Sequence, residues 1–140
     1  MTVDPTIEGL YVRRRFEAPA ERVFDAWTNP DLARQWLFPI WVGEVLAIEM
    51  DARPGGVFRV TGARHQGFGE ILEMDRPRRL VLAFGVPAQG SSLDRLVAEI
   101  TPDGTGCLLS VTKEGLPPDL AEETEADWGV MFDGLAAAIR

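Results

Sequence analysis

A chain of 140 residues, 46% of them apolar, is long enough to bury one hydrophobic core without disulfide or metal staples. Its 14 basic and 22 acidic side chains leave a net charge of −8, which repels phosphate backbones and anionic lipid over a Debye length and sets nucleic acid and membrane aside as partners. The single Cys107 cannot form an internal disulfide, Met1-Thr2-Val3-Asp4-Pro5 lacks the start of a secretion signal, and no apolar run nears the ~20 residues of a bilayer span, so a cytoplasmic location is expected.

No repeat, low-complexity run or linker-like stretch divides the chain, and residues 1–140 read as a single domain. Residues 10–16 form the first predicted strand, with Leu10, Val12, Arg14 and Phe16 on one face. The Arg13-Arg14-Arg15 cluster therefore alternates across two faces instead of forming a basic patch. Pro19 and Glu21 suit the first turn of a helix, and Val23, Phe24 and Trp27 make its buried stripe. Ala18 is a poor cap, so this helix start must depend on packing. A second short helix begins at once, with Asn29 capping, Pro30 in the first position, and Leu32 and Trp36 facing inward. The following Trp36-Leu37-Phe38-Pro39-Ile40-Trp41 is broken by proline and reads as irregular.

From residue 44 to 114 the pattern is a run of antiparallel strands. One ends near Met50, and Pro54-Gly55-Gly56 turns into residues 57–61. Residues 67–74 and 80–84 flank a turn at Arg76-Pro77-Arg78. Residues 93–101 and 107–113 flank the hairpin Pro102-Asp103-Gly104-Thr105-Gly106. After Pro117-Pro118, Asp119 can cap a last helix. Leu120, Thr124, Trp128, Phe132, Leu135 and Ile139 share one face of it, over about 20 residues and roughly 30 Å. Gly129 and Gly134 each cost this helix about 1 kcal/mol against alanine and imply a close approach or a bend. The design is α+β, with two short helices after the first strand. A curved antiparallel sheet of about seven strands wraps a long C-terminal helix, with helices on one face.

These pieces resemble the START-related (SRPBCC) superfamily, whose fold is the helix grip. The likeness is closest to the homologues of the activator of heat-shock protein 90 ATPase. It is carried by Phe16-x-Ala18-Pro19-x-x-x-Val23-Phe24-x-Ala26-Trp27 and Asn29-Pro30-x-x-x-x-x-Trp36. It continues through Asp51-x-Arg53-x-Gly55-Gly56-x-Phe58, Gly69-Glu70-x-x-Glu73 and Arg79-Leu80-Val81-x-x-Phe84, and ends with residues 128–135. Where this chain has Cys107, Phe84 and Asp127-Trp128-Gly129, the family commonly has Thr, Trp and Gly-Trp, which are packing-level departures. The resemblance implies a cavity between sheet and long helix that often holds an apolar or aromatic molecule. Members include carriers, sensors and a few cyclases, so the fold assigns no reaction. The chaperone activators carry a further N-terminal domain with no counterpart in this sequence, so a co-chaperone role is not carried over.

Few residues invite chemistry. His65, the only histidine, stands in the predicted loop Gly62-Ala63-Arg64-His65-Gln66-Gly67 with no orienting partner and reads as a loop residue. Cys107 alternates with Leu109 and Val111 and reads as a small buried hydrophobe. No His/Cys/carboxylate cluster has metal-ligand spacing, and Gly55-Gly56 opens a strand, not a phosphate-binding helix, so neither cofactor nor metal is expected. The polar candidates are Arg14, inward-facing by alternation, and Glu70 and Glu73, which alternation puts on opposite faces of their strand. We count Glu73 with Arg14 as the polar side of a ligand site. Its apolar side is Trp36, Phe38, Trp41, Phe58, Phe84, Trp128 and Phe132, from separate elements that converge on one side of the sheet. The first expectation is a non-enzymatic carrier or sensor of a small hydrophobic or aromatic ligand. A lyase or cyclase of the polyketide-cyclase kind and a chaperone-activator-like protein-binding module are the alternatives, and a homodimer is open.

Overall fold

The first strand, β1 (Gly9–Phe16), pairs along its whole length not with its sequence neighbour but with the last strand, β7 (Gly106–Glu114). Between them the chain crosses to the opposite edge of the sheet. It passes through α1 (Ala20–Thr28), α2 (Pro30–Ala33) and α3 (Pro39–Val42), then enters β2 (Val45–Met50). It meanders back through β3 (Val57–Gly62), β4 (Gln66–Asp75), β5 (Arg79–Gly85) and β6 (Asp94–Asp103). The result is one antiparallel sheet in the order β1-β7-β6-β5-β4-β3-β2, curved around its helices. A final helix, α4 (Ala121–Ala138), packs on β1 and α1 and completes a helix grip. The structure, a computed structural model, describes residues 9–89, 93–114 and 121–139. The predicted cap Asp119 and the helix-face residue Leu120 lie outside the described residues.

Local chemistry explains the helix starts. Pro19 precedes α1 with no side-chain cap, and the first turn is closed by the backbone bond from Arg22 N–H to the Pro19 carbonyl, 3.0 Å. Packing holds the helix instead: Val23, Phe24, Ala26 and Trp27 are fully buried. Asn29 Oδ1 accepts from Asp31 N–H at 2.9 Å, the expected cap for a helix opening on Pro30. On α4, Thr124, Trp128, Phe132, Leu135 and Ile139 are all buried, as their spacing predicts. Gly134 is the close approach: a Cβ there would stand 3.2 Å from Trp36 Cβ.

Two readings need correction. The segment expected to be irregular contains α3, whose turn starts from Phe38 in the left-handed conformation at φ 69°. Such a backbone costs energy for a residue with a side chain. It is compensated by full burial of the Phe38 ring and a hydrogen bond from its N–H to Met131 Sδ. Second, neither Glu70 nor Glu73 faces the helices. The pairing of β4 with β5 slips between Ile71 and Glu73, leaving Leu72 as the extra residue of a bulge. The slip keeps Ile71 and Met74 inward and sends Glu70, opposite Ala83, and Glu73, opposite Val81, to the outer face.

That outer face carries a charged roof. Glu73 lies 3.5 Å from Arg79 and 3.6 Å from Arg95; Arg79 also meets Glu99 at 3.0 Å, and Arg95 meets Glu114. Beneath it Val81 and Val97, directly paired across β5 and β6, are buried although they point away from the main core. The arginine stems supply the apolar cover that a helix provides on the other side.

Candidate functional site

The inner face is lined by a connected row of aromatic rings. From the β1 end, Phe16 meets Phe132 edge-on at 5.9 Å, and Phe132 meets Trp128 at 5.7 Å. Trp128 stacks on Trp27 at 6.1 Å, and Trp27 meets Trp36 edge-on at 4.9 Å. Trp128 also meets Trp41, which leads to Phe38, then to Phe84 stacked on it at 3.9 Å, and then to Phe58. The row thus joins α4, α1, the aromatic segment around α3, and strands β5 and β3. All these rings except Trp41 are at most 5% exposed.

Two glycines let the row lie flat on the sheet. Phe84 Cζ covers Gly67, and Phe58 Cζ covers Gly69, so closely that a Cβ at either position would fall well under 3.0 Å from the ring. These glycines leave room for rings on the neighbouring strands.

The row has polar closures at two places. Near the free edge of β1, Arg14 points inward as its alternation predicts. Nη1 donates to Asp133 Oδ1 at 2.6 Å, Nη2 donates to the Gly129 carbonyl at 3.3 Å, and the guanidinium lies 5.5 Å from the Phe132 ring centre. A groove of about 280 Å3 runs there between β1 and α4, lined by Tyr11, Val12, Arg13, Arg14, Glu125, Gly129 and Phe132. The second closure is Lys113, whose ammonium stands 4.7 Å over the Trp41 ring and 3.4 Å from Asp94 Oδ2. Its side chain is only 13% exposed. Sequence reasoning passed over Lys113, although it continues the inward alternation of Cys107, Leu109 and Val111 and so carries a charge into an apolar row. Asp127, on the first turns of α4, lies within its electrostatic reach. Burial raises that carboxyl above its ordinary value, Glu123 adds to the rise, and Lys113 opposes it.

Of the nine expected site residues, the structure brings eight to the inner face: Arg14, Trp36, Phe38, Trp41, Phe58, Phe84, Trp128 and Phe132. Glu73 is on the other side. His65 is half-buried in the β3–β4 loop, where its backbone N–H bonds to the Val42 carbonyl. Cys107 is buried, and burial pushes its thiol upward, away from the reactive thiolate. Among the described residues no group of three or more His, Cys, Asp or Glu side chains is placed to hold a metal ion, and no helix is long and apolar enough to cross a membrane. A separate groove of about 490 Å3 lies by the β2–β3 hairpin, with Met50, Val57, Phe58, Arg59 and Phe68 among its lining.

The model of the family described as Activator of Hsp90 ATPase homolog 1-like protein matches residues 17–140. No curated protein matches the sequence. Among solved structures, protein CV1439 from Chromobacterium violaceum is 25% identical with a TM-score of 0.78, over 96% of this chain and 97% of that one. Protein MLL2253 from Mesorhizobium loti is 20% identical with a TM-score of 0.79, over 94% and 96%. CalU16 from Micromonospora echinospora is 24% identical with a TM-score of 0.73, over 92% of this chain and 74% of its own.

Proposed function

Because the chain belongs to the Activator of Hsp90 ATPase homolog 1-like family, we propose that it holds a small apolar or aromatic molecule between the inner face of the sheet and α4, as a carrier or sensor. The observation that carries this reading is the groove of about 280 Å3 between β1 and α4, lined by Phe132, the ring that packs against Trp128 of the aromatic row. Its size approaches the lower range of small-molecule sites, and one polar side chain, Arg14, is set among apolar ones. Aromatic rings offer a flat ligand large contact area at little conformational cost. The two basic side chains at the row are held in ion pairs, Arg14 with Asp133 and Lys113 with Asp94. A carrier therefore suits the site better than a cyclase, which needs an acid or base free to exchange protons.

Native mass spectrometry of the purified protein, followed by extraction and identification of co-purifying molecules, tests the reading. Titration with a naphthalene-type fluorophore complements it, with Phe132→Leu expected to weaken binding and Glu73→Gln to leave it unchanged. Absence of both a co-purifying molecule and a saturable fluorescence change would sink the proposal.

A further inference from the structure

Arg14 lines the groove between β1 and α4 and pairs with Asp133, yet that pairing leaves most of its donors unused. A guanidinium presents five N–H donors in a planar fork. Nη1 donates to Asp133 Oδ1 and Nη2 to the Gly129 carbonyl, and among the described residues no other group accepts from it. The Arg14 side chain is 36% exposed within the groove lining, whereas Asp133 is 75% exposed and stands outside that lining. So exposed an ion pair, held by a single N–H···O bond, contributes little. Arg13 and Glu125, also in the lining, offset each other in charge, so Arg14 makes the lining net positive on a chain of net charge −8. The Phe132 ring lies 5.5 Å from the guanidinium, and Tyr11 and Val12 extend the apolar surface beside it.

Resting on the ligand-binding reading above, we infer that the bound molecule is an aromatic carboxylate, its ring against Phe132, Tyr11 and Val12 and its carboxylate on the N–H donors of Arg14 that Asp133 leaves unused. A carboxylate matches the guanidinium fork with two parallel N–H···O bonds, which the single contact to Asp133 Oδ1 does not provide. Because Arg14 is partly exposed, the anion keeps part of its hydration and no charge enters the packed row. A hydrocarbon would use the ring surface alone, and a cation would be repelled by Arg14. Asp133 neutralises part of the guanidinium charge and so tempers the site.

The test compares 2-naphthoate with 2-naphthamide, which match in shape and differ in charge, by calorimetric titration of the whole chain. Naphthoate is expected to bind about tenfold more tightly, since hydrogen bonds to a charged partner are about twice as strong as neutral ones. That preference should shrink as salt rises. Arg14→Met, which keeps an apolar stem, should erase the preference by weakening naphthoate. Asp133→Asn should raise the preference about twofold to fivefold by removing the competing charge. At a 75% exposed side chain this second variant carries the test if Arg14→Met fails to fold. Equal affinity for the two probes in the parent overturns the inference and leaves the binding reading standing. A naphthoate preference that survives Arg14→Met, or that Asp133→Asn fails to raise, also overturns it. Binding of neither probe removes the binding reading and this inference together.

Discussion

Replacing Gly69 by alanine probes how the aromatic row is seated. The added Cβ would fall well under 3.0 Å from Phe58 Cζ and from the Ala83 carbonyl oxygen, so side chain and backbone must both shift. Overpacking of a buried site costs about 1–3 kcal/mol. The Phe58 ring, parallel to Phe84 within 2° at 5.9 Å, would lose a contact worth about 0.5–1.5 kcal/mol. Together these give roughly 1.5–4.5 kcal/mol, or about 6–18 °C in Tm at ~4 °C per kcal/mol for a chain of this size. Gly67→Ala differs in one respect: its Cβ would meet the Phe84 ring, but the nearest backbone atom, the Gly85 carbonyl oxygen, is 3.5 Å away. Shortening the opposing ring should therefore rescue Gly67→Ala, with Phe84→Leu, far more than Gly69→Ala, with Phe58→Leu. Urea and thermal denaturation of the singles and doubles give the two coupling energies. A Gly69→Ala variant within 0.5 kcal/mol of the parent (a threshold of about one surface substitution), or equal rescue of both, would refute the reasoning.

Other perturbations have equally defined outcomes. Gly129→Ala should stabilise by about 1 kcal/mol through helix propensity, since the added Cβ meets nothing nearer than Arg14 Nη2 at 4.0 Å; a lowered Tm would contradict this. Glu73→Gln, on the outer face, should cost less than about 1 kcal/mol, with the loss shrinking at high salt; a change in probe affinity would return Glu73 to the ligand site. Burial, reinforced by Glu123, raises the Asp127 carboxyl above 3.8, so the folded chain holds that proton more tightly than the unfolded one. The stability this contributes is fully present below the unfolded value and is lost as pH rises through the folded value. Asp127→Asn should therefore gain on the parent in urea midpoints as pH rises from below 3.8 through the raised folded value, and a difference that stays constant with pH would contradict the sign.

Much of the architecture was legible because it depends on neighbours in sequence. Alternation at Leu10, Val12, Arg14 and Phe16 set the inward face of β1. The Asn29-Pro30-Asp31 start set α2, and four-residue spacing set the buried face of α4. The same alternation placed Arg14 beside α4. Applied to β7, it would also have found Lys113. The fate of Glu73 was not legible, because a bulge is a property of two strands. The slip at Leu72 exists only where β4 meets β5, and nothing in the spacing of Glu70 and Glu73 announces it. The α3 turn was hidden for a related reason: a left-handed Phe38 is unfavourable locally and is held there by packing against Phe84 and Met131.

By itself, then, the sequence determined the order of the strands and of α1, α2 and α4, the inward faces of β1 and α4 and the aromatic character of the interior, all of which follow from periodicity and capping along one chain. Only the tertiary structure decided that β1 closes against β7 and that Glu73 roofs the outer face. It also decided that Trp36 finds a carbonyl while, among the described residues, Trp27 and Trp128 do not. Those outcomes depend on register between distant strands and on which buried group meets which, and side-chain type cannot specify them until the chain has folded.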